Sequence, residues 1–245
     1  MSDWKAVEPD LKTALEKFPN PIKALAHAQV PAVVIRQAYD PAQGLGLIRR
    51  FTNMGLMRDG TDHKGQADQR VRIDIGTSLG LRGHEKDKFL DHAETSHFMF
   101  KFLFEGFDNP VNVMYDALRA LCPGKDVKVA REKDGRLYGP AIFRVHYDGH
   151  RYKPHIDHVV LRENRTAYEV YRFKHQFAGV LCLQNADASG PGVQSLLHRC
   201  VWTPEVQPHI TNDTFYDYAK EKNIEHSRVV LQPGDLYNGP KKQDH

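Results

Sequence analysis

Two hydrophobic periods divide this chain. In the first half apolar residues recur at helical spacing. Leu11, Leu15 and Phe18, then Ile22, Leu25 and Ala26, predict helix over 9–30, interrupted by Pro19 and Pro21. The β-branched run Pro31-Ala-Val-Val-Ile-Arg36 predicts a short strand. Asp40-Pro41 opens a second helix through Leu45, Leu47, Ile48 and Phe51. Gly55, Gly60 and Gly65, set among polar residues, make 53–70 a loop, suited to act as a lid over a small ligand. Val71-Arg-Ile-Asp-Ile75 alternates as a strand does, and 84–121 is largely helical, with apolar positions at Phe98, Phe102, Leu103, Phe107, Val113, Ala117 and Leu121.

From residue 139 the period shortens. Strands are expected at 140–148, 155–161, 177–184, 193–198 and 229–237, separated by Gly, Pro, Asn and Asp turns, with helix returning only near 212–223. A run of short strands suggests a sandwich or double-sheet jelly roll. The expected architecture is α+β in one domain, 1–245. Residues 1–138 form a mainly helical part with early strands, and 139–245 form the jelly-roll core. There is no internal repeat. Gly44-Leu-Gly46 lacks the third glycine and the directly preceding strand of a dinucleotide-binding turn.

Composition narrows the class. At 245 residues, with 40% hydrophobic and 10% aromatic residues, the chain can bury a sizeable core. A net charge of +3, dispersed along the chain, gives no sign of nucleic-acid binding. No apolar run approaches the roughly 18 residues of a membrane span, and the N-terminus has no apolar signal segment. Three cysteines without regular spacing argue against a disulfide framework or a Cys-based zinc site. Cys182, in Gly179-Val-Leu-Cys-Leu183, reads as a core thiol, and a reducing cytoplasmic setting is expected.

The chemistry concentrates in Arg144-Val-His-Tyr-Asp-Gly-His-Arg-Tyr-Lys-Pro-His155-Ile-Asp157-His158. In an extended chain residues two apart share a face, so His155 and Asp157 project together. A distant histidine would complete a 2-His-1-carboxylate triad, which holds Fe(II) on one face and leaves the other open. An isolated H-x-D is common by chance, and taken alone it is as well explained as a polar strand end. His209, His226 and His245 are the downstream candidates for the third ligand. His245 is favoured because Leu231-Gln-Pro-Gly-Asp-Leu-Tyr237 turns the chain into a strand running back toward the site. Arg144 and His146 share one strand face. An inward arginine needs an anionic partner: a co-substrate carboxylate, a substrate carboxylate, or an internal Asp or Glu. Trp202, just beyond a strand, either walls a substrate pocket or packs on the sheet.

These pieces in this order resemble the Fe(II)/2-oxoglutarate-dependent oxygenases, most closely the free-standing small-molecule hydroxylases and halogenases of natural-product pathways. The resemblance is carried by Ala141–Gly149, His155-Ile-Asp157, Phe177–Asn185, Gly190-Pro-Gly-Val193, Leu197–Pro204 and Pro233-Gly-Asp-Leu-Tyr237, all in the C-terminal half. It implies a double-stranded β-helix core with helices outside. It implies iron on His155, Asp157 and a distal His at or near His245, and 2-oxoglutarate chelating that iron, with Arg144 and His146 as candidates to hold the co-substrate. O2 then converts the keto acid to succinate and CO2 as substrate is oxidised. Trp202 and His158 are the expected substrate contacts. Halogenases of this group carry Gly or Ala where Asp157 stands, which leaves room for chloride. Asp157 therefore favours hydroxylation, desaturation or oxidative ring closure of the kainoid type. Family members also carry an arginine beyond the distal histidine for the far carboxylate of 2-oxoglutarate. Nothing follows His245 here, so that role is expected either of residues outside these 245, along with the last core strand, or of Arg144.

The expected activity is oxidation of an unactivated C–H bond in a small polar molecule bearing a carboxylate or amine. Arg144, His146, Lys153, His158, His198 and Arg199 near the strand ends motivate that polarity. The alternatives are a protein or peptide side-chain hydroxylase and a non-catalytic jelly-roll binding module.

Overall fold

The computed structural model describes residues 3–58, 72–146, 153–156, 164–185 and 193–240. The first helical stretch is two helices, α1 (Leu11–Lys17) and α2 (Pro21–Ala26). Asp10 and Asn20 cap them by accepting from Thr13 N (2.8 Å) and Lys23 N (2.9 Å), and Pro21 starts α2, where no donor is lost. Strand β1 (Val33–Ile35) is wholly buried. Asp40 caps α3 (Pro41–Asn53) through Ala42 N at 2.8 Å. Strand β2 is Arg72–Gly76. Of the expected lid, residues 59–70 lie outside the described residues.

The helical stretch expected over 84–121 starts earlier and divides into α4 (Leu79–Arg82), α5 (Lys86–Leu103) and α6 (Pro110–Leu121). Gly106, at φ +81°, turns the chain between the last two, and Asn109 caps α6. Strand β3 (Ile142–His146), a 3-10 turn (Glu169–Arg172), β4 (Phe177–Leu181) and β5 (Val193–His198) follow. Helices α7 (Val206–Thr211) and α8 (Phe215–Glu221) lead to β6 (His226–Leu231) and β7 (Leu236–Pro240). Helix α7 departs from the sequence pattern. That pattern returns to helix only near 212–223, and Pro208 of α7 falls in the first turn, where proline costs little.

All named strands pair antiparallel, in three sheets: β1-β7-β4, β2-β3 and β5-β6. One face of β1-β7-β4 presents Val33, Ile35, Phe177, Leu181 and Leu236 to apolar residues that include Ala14, Leu25, Ala117 and Leu121 of α1, α2 and α6. Its other face presents Val34, Ala178 and Tyr237, with Cys182 just beyond β4, to Leu197, Val229 and Leu231 of β5-β6. Alternation along each strand gives one apolar set to the helices and the other to the facing sheet. Mixed helix and antiparallel sheet make this an α+β fold. Cys182 is the core thiol expected, and burial pushes it up to about 11.

The stretch 229–237, expected as one strand, is the end of β6, a turn and the start of β7. Gly234 makes the turn. Its φ is +92°, and a Cβ there would lie 2.3 Å from the Tyr39 carbonyl oxygen. Gly234→Ala is expected to cost about 2 kcal/mol or more, through strain and that backbone clash. The melting temperature then falls by roughly 4–8 °C, read by circular dichroism. A melting point unchanged from the parent would contradict this packing.

Candidate metal centre

The β2-β3 ladder sorts its side chains by face. Ile73, Ile75, Phe143 and Val145 join the cluster of Leu47, Phe51, Phe100, Leu103 and Phe104 from α3, α5 and its C-cap. The Phe143 ring sits 5.1 Å from Phe51 and 5.6 Å from Phe100, both edge-on. Alternation then sends Arg72, Asp74, Arg144 and His146 to the opposite face. Register pairs Asp74 with Arg144 and Arg72 with His146.

On that face Arg72 Nη2 donates to Asp74 Oδ2 at 2.5 Å. The Asp74 side chain is 9% exposed, and its Oδ1 is buried with no hydrogen-bond partner. Arg144 is exposed and makes no ion pair among the described residues. The internal carboxylate opposite it is thus already taken by Arg72. Arg144 remains a cation able to receive an incoming carboxylate. Sequence reasoning missed the Arg72–Asp74 pair, although opposite charges two apart in an alternating strand are a signal for it.

His155 lies in the described segment 153–156, which has no strand pairing; 157–161 of the expected strand lie outside the described residues. Its Nδ1 is 2.8 Å from the Lys153 carbonyl oxygen. A carbonyl can only accept, so Nδ1 carries a proton, and in the neutral ring the lone pair is then on Nε2. That is the arrangement found where an imidazole ligates metal and its other nitrogen is held by a backbone carbonyl. Lys153 Nζ reaches Asp213 Oδ2 at 2.8 Å, linking this segment to the turn before α8. Both partners are exposed, so the bridge positions more than it stabilises. Asp157, His158 and His245 lie outside the described residues.

Of the alternative third ligands, His209 lies on α7 and His226 opens β6. The ring of His209 stacks on Tyr218 at 4.3 Å, with Nδ1 3.2 Å from Thr214 Oγ1. His226 faces His198 across β5-β6. Trp202 is half-buried, and its Nε1 donates to Gln207 Oε1 on α7 at 2.8 Å, which fixes the indole against that helix.

Strand β7 ends five residues before His245 in the sequence, and its entry is pinned. Asp235, 2% exposed, accepts from Arg36 Nη1 (2.6 Å), Gln232 N (2.8 Å) and Gln37 N (3.1 Å). Arg36 also donates to the Val230 carbonyl at 2.8 Å and to Glu8. The Asp of Pro233-Gly-Asp-Leu-Tyr237 therefore ties β1, β6 and β7 together. Two residues on, burial pushes the Tyr237 hydroxyl up to about 12. Gly239 makes room for it, since a Cβ there would lie 2.1 Å from the phenol oxygen.

A family model described as carrier-protein-independent halogenase WelO5 matches residues 7–237. The chain belongs to this family. Membership makes it an enzyme of the Fe(II)/2-oxoglutarate-dependent halogenase-like branch, using Fe(II), 2-oxoglutarate and O2 in natural-product chemistry. The family match spans the helical part and the strands β1 to β6, and its range includes His155 and Asp157 but ends before His245. No curated protein matches the chain. Among the described residues no helix is long and apolar enough to cross a membrane. The donor set fits the family's metal: a histidine whose Nδ1 is held by a backbone carbonyl, followed two residues later in the sequence by a carboxylate.

Proposed function

We propose that this protein oxygenates an unactivated C–H bond of a free, polar small molecule, by hydroxylation or oxidative cyclisation rather than halogenation. The observation that carries the reading is Asp157, two residues beyond an imidazole whose Nδ1 is committed to the Lys153 carbonyl. WelO5-like halogenases leave that position small, and a carboxylate there takes the ligand place chloride would need. His155, Asp157 and His245 hold the iron, on a double-stranded β-helix within a single domain, 1–245. When bound, the iron with 2-oxoglutarate and O2 supplies the power to break the C–H bond, with release of succinate and CO2.

The remaining roles belong to side chains. Arg144 receives the far carboxylate of 2-oxoglutarate, beside His146. Asp74, already neutralised by Arg72, offers its unpartnered Oδ1 to an O–H or N–H group of the substrate. Trp202, held by α7, and His158 wall the substrate. The setting is cytoplasmic.

Anaerobic titration with Fe(II) and 2-oxoglutarate tests the centre. A weak visible charge-transfer band is expected in the parent protein, and a weaker one in Arg144→Ala at the same 2-oxoglutarate concentration. Absence of the band from folded protein that retains Fe(II) would overturn the co-substrate assignment. An unchanged band in Arg144→Ala would remove Arg144 from it.

A further inference from the structure

Strands β5 and β6 meet in register from Val193↔Leu231 to His198↔His226. Leu197, Val229 and Leu231 point to the facing sheet, so His198 and His226 stand on the outer side of β5-β6. The next rung is hydrogen-bonded, with Arg199 N donating to the Glu225 carbonyl at 2.7 Å. The His198/His226 rung is therefore a non-hydrogen-bonded one, where opposed side chains come closest.

The two imidazole centroids are 5.6 Å apart and the rings are inclined by 36°. Two imidazoles sharing a tetrahedral Zn2+ at Zn–N of about 2.0–2.1 Å place their centroids roughly 5 Å apart. The centroid separation is thus within about 1 Å of that of a shared ion. Neither ring makes a hydrogen bond or ion pair among the described residues. His198 is half-buried against Phe215 (5.0 Å, edge-on) and Tyr216 (5.8 Å) of α8, while His226 is exposed. Burial, and then the neighbouring His226, lower the pKa of the His198 imidazole, which favours the neutral form that a ligand needs.

We propose that His198 and His226 form a second metal site, a two-imidazole clip for a borderline divalent cation of the Zn2+ class, with water completing its coordination. The site shares no residue with the iron centre and does not depend on that assignment. It lies at the neck of the excursion 199–225, which carries α7 and α8. A metal there joins the exit of β5 to the entry of β6 and fixes α8 on the outer face of the sheet. It stabilises by favouring the folded state over the unfolded one.

The test uses protein without a histidine tag, loaded anaerobically with Fe(II) and 2-oxoglutarate. The protein is titrated calorimetrically with Zn2+, and a parallel titration uses His155→Ala, in which the iron centre no longer competes. One equivalent of Zn2+ is expected in both, with a rise in melting temperature. His226→Ala, at an exposed position, is expected to fold and to weaken that binding by about tenfold or more. Cu2+ bound to His155→Ala is expected to show hyperfine splitting from two imidazole nitrogens, reduced to one in His155→Ala/His226→Ala. No Zn2+ equivalent in the His155→Ala protein would overturn the proposal. So would Zn2+ affinity and a Cu2+ spectrum that His226→Ala leaves unchanged.

Discussion

An Asp157→Gly variant is expected to lose iron-dependent conversion of 2-oxoglutarate to succinate by about 100-fold or more, with Fe(II) bound more weakly. Removing a group that only orients a metal ligand already costs about 10–100-fold, and removing a ligand costs at least as much. Any residual product formed in chloride is expected to carry chlorine, because glycine reopens the ligand place that the family's halogenases leave vacant. The assay is succinate formation with and without chloride, alongside iron stoichiometry. Succinate formation and iron content equal to the parent's would show that Asp157 is not a ligand, and the oxygenase reading would then lose its basis.

The second large effect is on stability. Asp235→Ala removes the buried acceptor shared by Arg36, Gln232 N and Gln37 N, donors whose own residues are half-buried or exposed. Three hydrogen bonds are lost together, one of them an ion pair, and each contributes about 1 kcal/mol or more. The expected loss is about 3 kcal/mol or more. At this chain length that lowers the melting temperature by roughly 6–12 °C, read by calorimetry. Asp235→Asn keeps an acceptor oxygen without the charge and is expected to fall between the parent and alanine. A melting temperature unchanged in Asp235→Ala would show that the hub does not hold β1, β6 and β7 together.

Both residues sit in segments that stand out in the sequence. Asp157 is in the H-x-D segment, and Asp235 is in Pro233-Gly-Asp-Leu-Tyr237. Their physical reasons differ in kind. The chemistry of His155-x-Asp157 follows from residue type and spacing. The role of Asp235 does not, because its partners Arg36 and Gln37 are about 200 residues away and are brought to it by the pairing of β1 with β7. The same holds for Arg144. Alternation predicts its strand, but the commitment of Asp74 to Arg72, which keeps the opposing carboxylate from it, needs the β2-β3 register.

The sequence by itself determined what short-range forces decide. Asp40 before Pro41 marks a helix start, because its side-chain oxygen reaches a backbone N–H two residues on. Asp10, Asn20 and Asn109 cap helices by the same short reach, but the apolar spacing does not single them out. Alternation in 71–75 and 140–148 marks strands because the pleat has period two. The H-x-D motif marks candidate ligands because residues two apart in an extended chain share a face. Only the tertiary structure decided which strands pair, where 229–237 breaks, and which histidines meet. His198 and His226 are separated by two helices, and nothing local to either predicts the other. Such pairings follow from the register of whole strands, set by burial of Leu197, Val229 and Leu231 against the facing sheet.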